Sequence, residues 1–273
     1  MMLNAENIRG QLDTKWAAQN LIFKEVTEST NDDAKILGEE SAPHGTLVVA
    51  DVQTSGRGSR GRSWETPGGS NIAMSLLVRP TAPPDKISVL TLIMGLSIAQ
   101  GVEDLFADNE EFADFPQIKW PNDVVIAGKK ICGILTELHM NNDNTINNVV
   151  IGVGINANMN SFPEEIEDIA GSIYTQTGFK VDRSSVVAAC MKRFEENYEK
   201  FEKTFDLSLL KGEYEDRLIN RDRTVKIIDH KGEYEAVALG IGDDGALKVR
   251  TSDGNVMHIN AGEVSVRGLY GYV

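Results

Sequence analysis

The chain has 273 residues and a formal net charge of −14, with 41% hydrophobic and 25% charged residues, which is typical of a globular protein with one large domain or one domain and a small second one. The acidic balance disfavours non-specific binding to nucleic acid. No apolar run reaches the ~18 residues of a membrane span and the polar N-terminus is unlike a secretory signal, so no membrane partner is expected.

The N-terminal part predicts helices that alternate with strands. Residues 4–19 have apolar side chains one helical turn apart, which predicts a short amphipathic helix. A strand is predicted at residues 21–26 and a helix at residues 32–40. Ser29 and Thr30 lie between them, and on the residues alone we interpret them as helix caps. Only about twenty residues precede the first strand, too few for a winged-helix domain, so operator binding is not expected.

The middle of the chain predicts further strands and helices. The β-branched residues 46–52 predict a strand that enters a glycine-rich segment, and residues 71–78 predict the strand that leaves it. A long apolar helix is predicted at residues 87–106. Residues 118–120 predict a short extended segment, and residues 124–126 with 131–138 predict a hairpin. Residues 148–155 predict a buried strand, and residues 184–204 and 207–218 predict two further helices.

The pattern changes near residue 223. From residue 224 onward five short strand candidates are separated by turns, which indicates a small barrel of SH3 type. We therefore predict two domains, at residues 1–222 and 223–273.

The cysteines and histidines do not predict a metal site. Cys132 and Cys190 lie in apolar patterns and are most simply buried thiols of a reducing cytosol, which predicts a cytoplasmic protein. The four histidines are scattered and show no metal-ligand spacing.

Residues 53–69 form a glycine-rich segment that contains three arginines and one acid. Glycine allows backbone N–H groups to approach a ligand closely, and arginine binds phosphate and carboxylate with a planar fork of donors. The segment therefore predicts a loop that closes over an anionic ligand rather than a solvated turn. Gly56, Gly58 and Gly61 match GxGxxG, but Pro67 follows where the dinucleotide-binding motif needs a helix.

A second group of candidate residues lies between Lys119 and Leu138. Lys130 opens a strand of alternating character, so its side chain can point into a site while Ile131 packs in the core. Each lysine alone can also be explained as a surface residue of a hairpin. A tryptophan such as Trp120 is more often a core residue than one that stacks on a ligand, so we predict that it is buried in the core.

Four motifs together identify a family. GRGSRGRSW at residues 56–64, KWPND at 119–123, KKICGIL at 129–135 and GVGIN at 152–156 resemble those of biotin protein ligases, in the same order. The resemblance covers residues 21–267 and implies an α+β fold: a mixed sheet of about seven strands with flanking helices, similar to class II synthetases, plus the C-terminal SH3-like barrel. It allows homodimers through sheet edges without determining the oligomeric state.

The resemblance implies a two-step ligase. Biotin and MgATP form biotinyl-5′-AMP, and a lysine of a biotin carboxyl carrier protein domain then takes the biotin and releases AMP. Arg57 and Lys119 are implied as catalytic, because charge beside the α-phosphate stabilises the transition state. The residues implied around biotin are Ser29, Thr30, Asn31, Gln53, Gly56, Arg57, Gly58, Ser59, Lys130 and Gly133, and those around ATP or the adenylate are Arg60, Arg62, Trp64, Lys119, Asn122 and Asn156.

One position departs from the family pattern, which commonly reads GRGRRGR. Ser59 replaces an arginine that helps the family to retain the adenylate. We expect this protein either to rely more on Arg57 and Arg60 or to hold its intermediate less tightly.

Other functions are compatible with parts of the pattern. A lipoate or octanoate transferase shares the catalytic fold but lacks the paired GRGxRGR and KWPND motifs. A non-catalytic biotin sensor would not need Arg57, Lys119 and Lys130. A class II synthetase-like enzyme that acts on nucleic acid is disfavoured by the acidic charge.

Overall fold

The computed structural model describes residues 2–108, 115–229, 232–260, 265–268 and 272–273. A seven-stranded sheet has the order β1-β2-β3-β7-β6-β5-β4. The β1–β2 pair is parallel and the other pairs are antiparallel, so the predicted mixed sheet is confirmed. Its strands are β1 (Leu21–Thr27), β2 (Thr46–Gln53), β3 (Ile72–Val78), β4 (Gln117–Lys119), β5 (Asp123–Ile126), β6 (Lys129–Met140) and β7 (Ile146–Ile155).

Helices cover both faces of this sheet. The long helices α3 and α5 pack on one face, where alternate strand residues such as Leu47 and Ile151 belong to the main core. On the other face, Ala34 of α2 packs against Val48 and Val150 in a smaller cluster. The helices are α1 (Ala5–Arg9), α2 (Thr30–Glu39), α3 (Val89–Asp104), α4 (Ile173–Thr177), α5 (Arg183–Thr204) and α6 (Lys211–Glu215).

The α3 region has the length and hydropathy of a membrane span, counted over the 21 residues of Pro84–Asp104. However, 78% of its most apolar window is buried inside the protein. The segment is therefore the central core helix, and its apolar residues face neighbouring elements rather than lipid.

Two predicted helices are shorter than expected because tertiary contacts use their backbone groups. The first ends at Arg9 rather than near residue 19. Beyond it, the N–H groups of Lys15, Trp16 and Ala17 donate to the Glu195 carboxylate at 2.8 to 2.9 Å. The helix predicted at residues 207–218 is reduced to α6, because the following residues pair with β4 through an Ile118–Leu218 bridge.

A second sheet follows in the chain and is antiparallel throughout, with the order β11-β10-β9-β8-β12. The five predicted strands are therefore confirmed. Among the described residues the end strands β11 and β12 do not pair with each other, so closure into a barrel is not seen. The strands are β8 (Thr224–Asp229), β9 (Gly232–Ile241), β10 (Leu247–Thr251), β11 (Val256–Ile259) and β12 (Ser265–Gly268).

The second sheet is attached beside β4 and β5. Trp120 is fully buried at this junction, which confirms the prediction of a core residue. Its indole N–H donates to the Gly245 carbonyl at 3.0 Å, and its backbone N–H donates to the Asn220 side chain at 2.9 Å. These bonds hold the turn between Lys119 and Asp123 in place.

Candidate active site

A cavity of about 530 Å³ opens between the N-terminus of α2, the middle of β6 and β7, and the glycine-rich loop. The cavity brings together residues from most of the motifs predicted to form the site. Those that line it are Ser29, Thr30, Asn31, Gln53, Arg57, Gly58, Ser59, Arg62, Trp64, Asn122, Lys130, Gly133 and Asn156. Gly56, Arg60 and Lys119 do not line it.

The glycine-rich loop has internal order. Isolated bridges join Gln53 to Thr66 and Arg57 to Ser63. Gly56 lies at the base of the loop, where an added Cβ would be 2.3 Å from the Trp64 carbonyl oxygen, so no larger residue fits there. The exposed Arg60 has a φ of 61° and lies outside the cavity.

A cluster of hydroxyl and amide groups forms one end of the cavity. The Thr30 backbone N–H donates to Gln53 Oε1 at 2.9 Å. The buried Ser75 hydroxyl lies 2.7 Å from Thr30 Oγ1 and 2.6 Å from Asn31 Oδ1. The Asn31 amide donates to Glu137 at 2.6 Å. These groups are preorganised to recognise a small polar ring that carries both donors and an acceptor.

Ser29 does not act as predicted from the residues alone. It occupies the N-cap position of α2, but its side chain makes no capping hydrogen bond. Thr30 is the first residue of the helix, and its hydroxyl lies 3.1 Å from Gln53 Oε1. Both side chains thus contribute to the cavity wall rather than to a helix cap.

A buried carboxylate joins the two candidate lysines at the other end of the cavity. Asp123 Oδ1 lies 2.5 Å from Lys130 Nζ, and Asp123 Oδ2 lies 3.8 Å from Lys119 Nζ. The Tyr272 hydroxyl donates to the same carboxylate. Asp123 was not among the predicted site residues, so its role as a shared counterion is a finding of the tertiary structure.

An irregularity in the sheet turns these side chains to one face. Asp123 pairs directly with Lys119 on β4, and Val125 pairs with Lys130 on β6. The register shifts between Val124 and Val125, which leaves Ile131 as an extra residue in β6. In a regular ladder Lys130 would lie opposite Ile126 and point to the other face.

The electrostatics of the group follow from its burial. Lys119 is only 6% exposed, and burial lowers its pKa to about 8 although Asp123 opposes the change. Burial alone would raise the pKa of Asp123, but the two lysines hold that pKa below its usual value. The site therefore concentrates positive charge in a poorly hydrated environment, where charge–charge interactions are strong.

Trp64 lies across the floor of the cavity. An added Cβ at Gly154 would be 2.2 Å from the Trp64 Nε1, so the glycine makes room for the indole. Lys130 Nζ lies 5.4 Å from the indole ring centroid. Among the described residues the buried indole N–H has no hydrogen-bond partner, and it is available to an acceptor on a ligand.

The two arginines that line the cavity, Arg57 and Arg62, are held by contacts within the protein. Arg57 forms ion pairs with Asp32 at 2.7 Å and Glu137 at 3.5 Å. The hydrogen bond that Arg57 donates to Asp32 is the main cause of the raised pKa of Arg57. Arg62 donates to the backbone oxygen of Ser59 at 3.2 Å and to its hydroxyl at 3.0 Å.

The two asparagines predicted on the nucleotide side, Asn122 and Asn156, form hydrogen bonds within the protein. Asn122 donates to the Ile134 carbonyl at 3.0 Å. Asn156 donates to the Gly171 carbonyl and accepts from Asn71, both at 3.1 Å. Both therefore position strands at the wall of the cavity.

Ser75, Glu137 and Tyr272 also belong to the site and were not predicted from the sequence. Ser75 is a single buried hydroxyl in an apolar strand, and Glu137 has the spacing of an exposed strand residue. Only the pairing of distant segments reveals their contacts.

Comparisons with known proteins give a consistent result. The model of the biotin/lipoate A/B protein ligase family matches residues 23–156, and that of the biotin protein ligase C-terminal domain matches residues 222–267. The bifunctional ligase/repressor BirA of Bacillus subtilis is 37% identical over 254 residues, which are 92% of this chain and 76% of that protein. The biotin–[acetyl-CoA-carboxylase] ligase of Mycobacterium tuberculosis is 30% identical over 198 residues, 71% of this chain and 70% of that protein.

A solved structure agrees with these relatives. The biotin protein ligase of Aquifex aeolicus in complex with biotin and ATP has a TM-score of 0.78 and 32% identity to this chain. The similarity covers 92% of this chain and 99% of that one.

Proposed function

The chain belongs to the biotin protein ligases of the biotin/lipoate A/B protein ligase family, and we propose that its cavity is the site of both steps of biotin transfer. The enzyme activates biotin with ATP to biotinyl-5′-AMP and transfers the biotin to a protein lysine. The observation that carries the assignment of the site is the buried group of Lys119, Asp123 and Lys130 beside a cavity that ends in hydroxyl and amide groups.

In the proposed complex the ring of biotin binds at the hydroxyl and amide cluster. The ureido group has two N–H donors and one carbonyl acceptor. Ser29, Thr30, Asn31 and Gln53 present acceptors and donors of the matching kind along this wall. Ser75 and Glu137 hold Asn31 in place, so they act as positioning residues behind the contact surface.

The carboxylate of biotin then lies towards the lysines. One of its oxygens attacks the α-phosphorus of ATP, the bond from that phosphorus to the bridging oxygen breaks, and pyrophosphate leaves. Lys119 and Arg57 stabilise the negative charge on the phosphoryl oxygens, which is larger in the transition state than in the separated reactants. Lys130 binds the carboxylate and orients it for attack.

In the second step the neutral ε-amine of an acceptor lysine attacks the acyl carbon of the adenylate, and AMP leaves. The acceptor in this proposal is the carrier domain of acetyl-CoA carboxylase, in keeping with the name of the Mycobacterium tuberculosis relative. Trp64 and the glycine-rich loop exclude water, which would otherwise hydrolyse the mixed anhydride.

Mg²⁺ enters as part of MgATP in this proposal. Among the described residues no group of three His, Cys, Asp or Glu side chains could hold a metal ion. The buried carboxylate of Asp123 beside the cavity already faces two lysines. The donor set therefore fits an ion that is bound by the phosphates of the nucleotide rather than by the protein.

The proposal extends to location and partners. The buried free thiols Cys132 and Cys190 support a reducing cytosol as the compartment. The net charge of −14 supports a protein acceptor and no nucleic-acid partner.

Homodimers would pair through the edge strand β1, where Val26 is 60% exposed. Light scattering of the purified protein tests this.

The test is incubation with biotin, MgATP and a carrier domain, followed by intact-mass measurement of the carrier. One biotin-sized mass increase that requires ATP supports the function, and the same carrier with its acceptor lysine changed to arginine is the control. A lipoyl-sized increase in a parallel reaction with lipoate would favour the transferase alternative, and binding of biotin without any increase would favour the sensor.

A further inference from the structure

Tyr272 is placed between the cavity and Lys119. The Tyr272 side chain lines the cavity, whereas Lys119 does not. Lys119 Nζ lies 4.2 Å from the centroid of the Tyr272 ring, within the range of a cation–π contact. The aromatic face therefore covers the ammonium group on the side from which a ligand would approach.

The hydroxyl of Tyr272 is attached to the same buried group. It donates to Asp123, the carboxylate that faces both Lys119 and Lys130. The ring and the hydroxyl thus make two contacts with one charge cluster. A side chain that was only filling space would need neither a cation nor a carboxylate at these positions.

The residue after Tyr272 also lies against the hairpin of β5 and β6. Val273 Cγ2 lies 3.4 Å from the position of an added Cβ on Gly128, in the turn between β5 and β6. Tyr272 and Val273 therefore pack against the hairpin that carries Asp123 and Lys130.

While the ring is in place, an anion in the cavity cannot contact Lys119 directly. A charge-assisted hydrogen bond needs a heavy-atom separation of about 2.7 to 2.9 Å, and the ring occupies that face of the ammonium group. A cation–π contact is weaker than a desolvated ion pair with phosphate, so an incoming anion can displace the ring.

We propose that Tyr272 is an autoinhibitory shield, which covers Lys119 in the ligand-free protein and leaves when the carboxylate of biotin and the α-phosphate of ATP reach that ammonium. The inference rests on the proposed function for the identity of these anions. The contact by which Tyr272 covers Lys119 does not depend on the proposed function and is measured separately.

The first experiment labels lysines by reductive methylation without substrates, and peptide mass spectrometry follows the rate at Lys119. The Tyr272→Ala variant should raise this rate by roughly 5- to 30-fold, the range expected for the loss of one such contact. Tyr272→Phe keeps the ring and should stay close to the wild type. Tyr174→Ala is the matched control, because it removes the ring 5.3 Å from Lys180 and should leave labelling of Lys119 unchanged.

The second experiment measures the first turnover of pyrophosphate release with biotin and MgATP. The Tyr272→Ala variant, which lacks the shield, should reach its half-maximal rate at a lower ATP concentration. Its rate at limiting ATP should therefore be higher than that of the wild type. A melting curve like that of the wild type confirms that the variant is folded.

Two results would overturn the shield: unchanged labelling of Lys119 in a folded Tyr272→Ala variant, or a slower first turnover in that variant. If the wild type itself releases no pyrophosphate, the proposed function fails, while the labelling experiment still decides whether Tyr272 covers Lys119.

Discussion

The carboxylate of Asp123 lies 2.5 Å from the ammonium nitrogen of Lys130, and both side chains are largely buried. The same carboxylate is 3.8 Å from Lys119. One acid thus holds two cations beside the cavity. Removing the acid leaves two buried positive charges that repel each other, and this makes the group a sensitive target for substitution.

The first prediction concerns Asp123→Asn, which keeps the shape of the side chain and removes its charge. We expect the free energy of unfolding to fall by about 3 kcal/mol, as for other broken buried ion pairs, and formation of the adenylate to slow. Urea denaturation and pyrophosphate release measure the two effects. Asp216→Asn, at an exposed position, is the control, and equal stability of the two variants would contradict the role of Asp123.

The second prediction concerns the charge of Lys119. Lys119→Gln should lower kcat of adenylate formation by about 10²–10³-fold, the usual effect of losing one transition-state contact. Transfer from added biotinyl-5′-AMP to the carrier should be affected less, since that step does not involve attack at phosphorus. Lys180→Gln changes an exposed lysine and serves as the control. Loss of both steps to the same extent would argue against the assigned role.

The third prediction concerns pH. The pKa of Lys119 is lowered to about 8, so the ammonium form exists below that pH and disappears above it. The rate of pyrophosphate release, measured without an acceptor, should therefore fall as pH rises through about 8. Lys119→Arg keeps its charge over this range and should lack this decrease. A wild-type rate that does not change up to pH 10 would contradict the prediction.

The same lowered pKa affects stability. Between about pH 8 and 10.5, the ordinary pKa of a lysine side chain, the unfolded chain binds more protons at Lys119 than the folded chain does. Stability rises with pH wherever the unfolded state binds more protons. This lysine therefore contributes an increase in the free energy of unfolding across that interval, opposite in direction to its effect on catalysis.

The fourth prediction concerns retention of the intermediate. Ser59 offers a hydroxyl that accepts from Arg62 at 3.0 Å, without the positive charge that the family commonly has at this position. Ser59→Arg should slow dissociation of biotinyl-5′-AMP, because an additional cation would face its phosphate. Release of radiolabelled adenylate after dilution measures this rate. Ser63→Arg places the same charge at another cavity-lining position as a control, and an unchanged rate in Ser59→Arg would refute the idea.

The fifth prediction concerns the loop. Residues 56–69 are largely exposed, and Arg57 is held by Asp32 at its surface. Biotin should order this segment and slow its amide hydrogen exchange, since closure over the ligand buries the backbone. Amides of the central strand β7 provide the internal reference. Identical exchange of residues 56–69 with and without biotin would show that the loop does not close.

The strands and long helices could be predicted from local pattern. Residues 46–52 and 148–155 are apolar runs bounded by turn residues, and the observed strands β2 and β7 differ from them by no more than two residues at either end. The helix α4 was missed because it is short and depends on a capping box at Ser172. Residues 10–19 were wrongly predicted as helix, because the Glu195 carboxylate accepts from their backbone N–H groups.

By itself the sequence determined most strands and long helices, including the five C-terminal strands, because these depend on local composition and order along the chain. It also determined the motifs that resemble biotin protein ligases, and the mixed sheet was predicted through that resemblance. The tertiary structure alone decided the electrostatics of the site. A register shift in β6 turns Lys130 towards Asp123, and Tyr272 reaches the same carboxylate from 149 residues away. Contacts of this kind depend on which distant segments pack together, and no local pattern of residues specifies that.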